Sequence, residues 1–342
     1  MRQLIELQQQ LVPELLEMMR KRYKILKQVM LAGTIGRRAL ASSLFMTERV
    51  LRTETDILKE QGLLTILSSG MQISEEGMKV LEAFEALGQM ILGNSDLEQQ
   101  LQDMFGIPYI RVVSCNSDES ELTKKEMGLE TSKLLRQSIR SNDVVAITGG
   151  TTTAHVAKYL TLPSTVKNVM FVPARGGLGE SVDYQANTIA SMMAKRTAGQ
   201  YRLLHVPDHI SSEAYESMMQ EPTIKEIVEV IRSARIVVHG IGDAKVMARR
   251  RKTGFTEIQA MLEEGALAES FGFYFNRQGE LVHKMKTVGM RLEDIAQTEM
   301  LIAVAGGESK AEAIAAIMRT GYDHALITDE GAARAIIAQY AK

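Results

Sequence analysis

Residues 144–160, VVAITGGTTTAHVAKYL, set two glycines and three threonines between a β-rich run and a helical one. Gly149 and Gly150 let a ligand approach the backbone, and the following helix presents its unpaired N–H groups at its positive end. Thr151, Thr152 and Thr153 add hydroxyl donors. An oxyanion suits such a corner, phosphate above all; the plainer alternative is a threonine-capped turn with no ligand. Neither Gly-x-Gly-x-x-Gly nor Gly-x-x-x-x-Gly-Lys-Ser/Thr is present, so neither a dinucleotide site nor a nucleotide-triphosphate loop is indicated.

Other groups could meet a phosphorylated sugar. Arg175, Lys245, Arg249, Arg250, Arg251, Lys252 and Lys310 supply charge, and Gln185, Asp243, Glu269 and Glu308 supply acceptors for hydroxyls. Lys310 follows Gly-Gly-Glu-Ser at the start of a helix and is the stronger cation. The Arg-Arg-Arg-Lys run at 249–252 would by itself be a solvated face; Arg250 gains interest from the loop before it. Catalysis would need a positioned carboxylate and, for deamination, usually a histidine. His155 reads as a surface or packing residue, while His239 sits at a strand end and could touch a ligand. No Ser-His-Asp or metal-ligand spacing stands out, so neither catalytic residue, metal nor cofactor is expected.

These groups need a scaffold, and the second part of the chain spells one. YIRVVSC, DVVAITG, VKNVMFVPA, QYRLLHVP, IVVHGIG, LIAVAGG and HALITD are apolar runs alternating with helical segments. That pattern predicts a mostly parallel sheet covered on both faces, with ligands beyond the strands' carboxyl ends. Five such ends read TGGTTTAH, PARGGLGES, HGIGDAK, AGGESKAE and TDEGAAR.

The front is different. Residues 1–60 hold eleven Lys/Arg against seven Asp/Glu, while 61–105 hold one lysine against seven acids, so a chain of net charge -2 carries a local basic patch. RYKILKQVML, TIGRRALASSL and ERVLRTETDILKEQG predict three short helices, the last capped by Thr47 and burying Val50, Leu51, Ile57 and Leu58. LLTILSSGMQIS predicts a hairpin, so the whole reads as a winged helix-turn-helix. Its third helix would read double-stranded DNA through Thr47, Arg49, Arg52 and Thr53, while Arg37 and Arg38 grip phosphate. Glu48, Glu54 and Asp56 would then be exposed acids beside the phosphates. The competing view is a helical cap whose charges merely face water. A further helix from Glu75 carries Val80, Leu81, Phe84 and Leu87 for subunit pairing or docking on the larger domain.

Division of the chain follows: 1–90 a DNA-binding domain with a leading helix, 91–105 a linker, and 106–342 an effector-binding and oligomerisation domain. A single cysteine, Cys115, excludes a disulfide framework within the chain and fits a reducing, cytoplasmic setting; no stretch has membrane-spanning length.

The chain resembles the SorC family of bacterial sugar-responsive transcriptional regulators, on IGRRALASSLFMTERVLRTETDILKEQGLL, GGTTTAHVA, PARGGLGE and VAGGESKAEAI. The resemblance implies an effector domain similar to glucosamine-6-phosphate deaminase and ribose-5-phosphate isomerase, without catalysis. For the family's glycolytic branch it implies fructose 1,6-bisphosphate as inducer and dimers or tetramers on paired operator half-sites. One phosphate would sit at Gly149–Thr153, Arg175 and Gln185 would lie around the sugar, and Arg250 and Lys310 would hold the second phosphate near Glu269. Two alternatives stay open: an isomerase or deaminase with an accessory helical domain, and a regulator answering to another phosphorylated sugar.

Overall fold

The computed structural model describes residues 11–88, 94–177, 181–207, 211–251 and 253–340. At the front, α1 (Pro13–Ala32) starts with proline in its first turn and stops at Gly33, whose φ of 75° favours glycine. Residues 1–10 of the expected leading helix lie outside the described residues. Helices α2 (Arg37–Ser43) and α3 (Glu48–Glu60) follow, with the Thr47 hydroxyl accepting from the Val50 N–H at 3.3 Å as the cap of α3. Ile25, Val29, Leu40, Leu44, Leu51 and Leu58 close the small core.

The hairpin is real: β1 (Leu64–Leu67) pairs antiparallel with β2 (Gly70–Ile73), and Ile35 adds a bridge to Met71. Next comes α4 (Glu75–Gly88), whose Phe84 packs on Tyr23 of α1 with ring centroids 5.4 Å apart; the Leu87 side chain lies outside the described residues. In α3 the buried stripe runs through Leu51, Glu54, Thr55 and Leu58, and Val50 is instead 41% exposed. Glu54 is likewise no exposed acid. It turns inward onto Arg22 at 2.9 Å and Lys21 at 3.5 Å, binding α3 to α1.

The stretch expected as a linker contains α5 (Ser95–Phe105). Its Leu101 is fully buried in the large core, and Glu98 accepts from the Val112 N–H and faces Arg111 at 3.2 Å. The chain then enters β3 (Tyr109–Val113), α6 (Glu121–Ser138), β4 (Val144–Ile147), α7 (Thr151–Tyr159), β5 (Met170–Pro173), α8 (Ala186–Thr197) and β6 (Gln200–Tyr201). Of QYRLLHVP only two residues pair as strand. Helices α9 (Ser212–Met218) and α10 (Pro222–Arg232) return it to β7 (Ile236–His239).

Beyond β7 stands an antiparallel sheet that the run-by-run pattern did not disclose. It comprises β8 (Gly242–Asp243), then after α11 (Ala244–Arg250) and α12 (Phe255–Glu263) the strands β9 (Ala268–Ser270), β10 (Phe273–Phe275) and β11 (Leu281–Lys284). The chain finishes with α13 (Leu292–Ala296), β12 (Met300–Val304), α14 (Ala311–Met318), β13 (Ala325–Asp329) and α15 (Glu330–Tyr340).

Seven parallel strands form the main sheet in the order β3-β13-β12-β7-β4-β5-β6, with a buried apolar core on each face. From β4 the chain winds outward to β5 and β6, then crosses back to β7 on the other side of β4. That reversal opens a crevice at the carboxyl ends of β4 and β7, where ligands of open α/β sheets bind. Thr148 braces it, its Oγ1 accepting from the Gly240 N–H at 3.1 Å.

The two parts of the chain meet where α1 lies on α6. Lys27 Nζ stands 3.0 Å from Glu126 and 3.2 Å from Glu130, Gln28 donates to Glu126, and Lys125 donates to the Leu31 carbonyl. Burial opposes charge on Glu130, but Lys27, Lys133 and Arg111 outweigh it and hold the carboxyl down at about 2. A carboxyl lowered from its ordinary 4.5 adds stability that is complete above that value and lost as pH falls toward 2. Urea unfolding at pH 5, 4 and 3 should show that loss, and Glu130→Gln should flatten it. An equal acid loss in the variant would place the titration elsewhere.

Candidate functional site

A cavity of about 520 Å³ occupies the crevice, within the range of small-molecule sites. Four of the five expected strand ends line it, through residues 148–153, 175–177, 240–243 and 309–310. Leu178, Gly179 and Glu180 of PARGGLGES lie outside the described residues. TDEGAAR does not line the cavity, because Asp329 turns back to hold neighbouring loops. Its carboxylate accepts from the N–H groups of Ser117, Gly307 and Ala332 at 2.7 to 2.8 Å.

The threonine loop is shaped by its glycines. Gly150 has φ 145°, and a Cβ on Gly149 would stand 2.7 Å from the Tyr184 carbonyl oxygen. The helix that begins at Thr151 starts in the cavity wall, where its first N–H groups have no partner in the helix itself. Thr153 is buried and donates its hydroxyl to the Gly150 carbonyl at 3.0 Å, so it stabilises the corner. Thr151 is exposed and Thr152 half-buried, which leaves these two to meet a ligand.

The remaining expected residues divide. Arg175, Gln185, Arg250, Glu269 and Lys310 all line the same cavity, joining Gly149 through Thr153. Arg250 stands exposed at its rim, whereas Lys310 is half-buried. Burial depresses the Lys310 ammonium most; Asp118 pulls it back up, while Arg250 and Lys124 push it further down. An anion seated between Lys310 and Arg250 would relieve that depression.

Glu269 has a structural task as well. It accepts from Arg251 at 2.7 Å and the Gly272 N–H at 2.6 Å, and faces Arg175 at 3.5 Å. Arg251 also donates to the Tyr274 hydroxyl at 2.9 Å, and burial raises the pKa of that phenol. One residue along from the rim cation, Arg251 is thus a buried pillar rather than part of a solvated run.

Among the other candidates, Asp243 caps α11 by accepting from the Val246 N–H, and the described lining omits Lys245, Arg249 and Glu308. Lys252 lies outside the described residues. His155 packs as expected, its Nε2 2.9 Å from Glu121, and burial lowers its pKa. His239 does not reach the cavity. Buried, it bonds Asp323 at 2.7 Å and Ser270 at 2.8 Å, a Ser-His-Asp row sealed from solvent. No sequence signal linked residues 31 and 84 positions apart. Among the described residues no His, Cys, Asp and Glu group could hold a metal, and no helix is long and apolar enough to cross a membrane.

The other candidate surface is the outer face of α3. Arg49, Val50, Arg52 and Thr53 are exposed there, opposite or beside the stripe that packs inward. Glu48 pairs with Arg38 at 3.1 Å, and Asp56 lies 3.8 Å from both Arg37 and Arg52. Such exposed pairs are weak, so phosphates can displace their acids.

Comparison with known proteins bears on both surfaces. Residues 89–338 match the sugar-binding domain family, and residues 18–87 match the CggR N-terminal DNA binding domain. The chain is 49% identical to the central glycolytic genes regulator of Priestia megaterium over 99% of this chain and 100% of that protein. Identity to the regulator of the same name in Bacillus subtilis is 45%, over 98% and 99%. Among solved structures, a SorC family transcriptional regulator from Enterococcus faecalis superposes with TM-score 0.67 at 39% identity, covering 71% of this chain and 99% of that one. The full-length sorbitol operon regulator SorC of Klebsiella pneumoniae shares the fold, with TM-score 0.68 at 20% identity over 89% and 94%.

Proposed function

The chain belongs to the SorC family of sugar-responsive transcriptional regulators, and on that premise we propose that it represses glycolytic genes and is released from DNA by fructose 1,6-bisphosphate. It is a DNA-binding regulator and not an enzyme. One observation carries the choice of ligand: a single cavity combines the helix-end seat at Gly149–Thr152 with the cationic pair Arg250 and Lys310. A sugar with a phosphate at each end engages both, and either monophosphate engages one. Repression is exerted as a dimer or tetramer on paired half-sites, since a helix-turn-helix reads one half-site per copy.

Calorimetric titration of the full chain tests the reading. Fructose 1,6-bisphosphate should bind saturably and at least about tenfold tighter than fructose 6-phosphate or fructose 1-phosphate, the second charged anchor contributing more than 1.4 kcal/mol. Equal affinity for a monophosphate would defeat the two-anchor pocket. On the DNA side, Arg49→Ala should weaken operator binding by about 1–3 kcal/mol and leave the titration unchanged. Mobility shifts at several salt concentrations would measure it, and unaltered affinity would remove α3 as the reading helix.

A further inference from the structure

The threonine-loop wall of the cavity rests on α6, and the Lys310 loop rests on the residues that lead into it. The threonine-loop helix α7 packs against it so closely that a Cβ on Gly128 would stand 2.5 Å from His155 Cβ. Glu121 at the start of α6 bonds His155 as well. The Lys310 loop bears on the residues leading into α6. Ser309 donates to Asp118 through both its N–H and hydroxyl at 2.8 and 2.9 Å, and the Glu308 N–H reaches Asn116 at 3.3 Å.

Further along α6, Glu126 and Glu130 hold Lys27 of α1, with Gln28 and Lys125 adding hydrogen bonds across the same junction. Lys27 has 8% of its side chain exposed and its two carboxylates 7% and 11%. Buried ion pairs of this kind are weak sources of net stability, because desolvation offsets their attraction. They do impose one geometry, and α1 passes it on: Arg22 and Lys21 hold Glu54 of the reading helix.

We infer that α6 is the lever through which cavity occupancy reaches the DNA-binding domain, and that the Lys27–Glu126–Glu130 cluster is the joint that transmits it. The inference rests on the proposed ligand-controlled repression. Packed helices move as units, so a ligand that draws the threonine loop and the Lys310 loop together shifts α6 against α1. Lys27, Glu126 and Glu130 touch neither ligand nor DNA, so the joint governs only the coupling between the two sites.

The test measures three quantities on the full chain: operator affinity, fructose 1,6-bisphosphate affinity, and the ratio of operator affinities without and with saturating bisphosphate. In the wild type that ratio should be about tenfold or more. In the neutral cluster Lys27→Met/Glu126→Gln/Glu130→Gln it should fall below about twofold, with each separate affinity within about threefold of wild type. A variant that keeps the full ratio overturns the joint while the functional reading stands. A wild type that binds no bisphosphate overturns the functional reading and the lever with it. Amide exchange of the wild-type protein gives a second measurement independent of the variant's folding. Bisphosphate should alter protection in both α6 and the last turns of α1; a response confined to the cavity loops also overturns the joint.

Discussion

Thr152→Glu should abolish the proposed response to fructose 1,6-bisphosphate, weakening its binding at least about a hundredfold, and leave operator affinity within about twofold. The substitution sets a carboxylate in the first turn of α7, where Thr152 is half-buried on the cavity wall. An acid suits a helix N-terminus, so the helix itself is not weakened. What changes is the seat, since the new carboxylate takes up the N–H groups and repels the incoming phosphate. Calorimetry reads the first effect and a mobility shift the second. Joint loss of ligand and DNA binding would mean that the loop supports the whole fold. Retained induction would move the phosphate to another wall.

The parts of this design that were legible in the sequence are those with a local period or a local corner. Strand, glycine pair and threonine-rich helix start stand next to one another in residues 144–160, so that corner could be read directly. The same holds for Thr47 as a cap and for the hairpin after Gly62. The four-stranded sheet had no such signal: strands of two to four residues are too short for an alternating pattern to build up. Neighbours in a charge run are also indistinguishable by composition. Arg250 ends at the rim of the cavity and Arg251 at full burial, because one helical step turns a side chain by about 100 degrees. Glu54 illustrates the same limit. Its place among exposed arginines suggested a solvent face, yet the 51, 54/55, 58 spacing puts it on the packed stripe, where Arg22 and Lys21 neutralise it. The joint between α1 and α6 links residues about a hundred positions apart, and only the fold brings them together.

The buried pillar behind the cavity sets the second large effect. Arg251 has none of its side chain exposed, and Glu269 only 4%, so the pair sits where an uncompensated charge is most expensive. Arg251→Met leaves the Glu269 carboxylate facing Arg175 at 3.5 Å and removes the donor to the Tyr274 hydroxyl. Breaking a buried pair from one side destabilises by about 3–5 kcal/mol, which lowers the thermal midpoint of a domain this size by about 10 °C. Removing the charge from both sides differs. Arg251→Met/Glu269→Gln deletes the carboxylate that Arg251 neutralised, but it also takes the Glu269 charge away from buried Arg175, so only part of the lost stability should return. Ligand binding should weaken in the double variant, because Glu269 also fixes Arg175, which lines the cavity. Thermal unfolding of the two variants beside bisphosphate titration separates these roles. A single variant as stable as wild type would show that water reaches Glu269. A double variant with full affinity would show that Arg175 holds its place unaided.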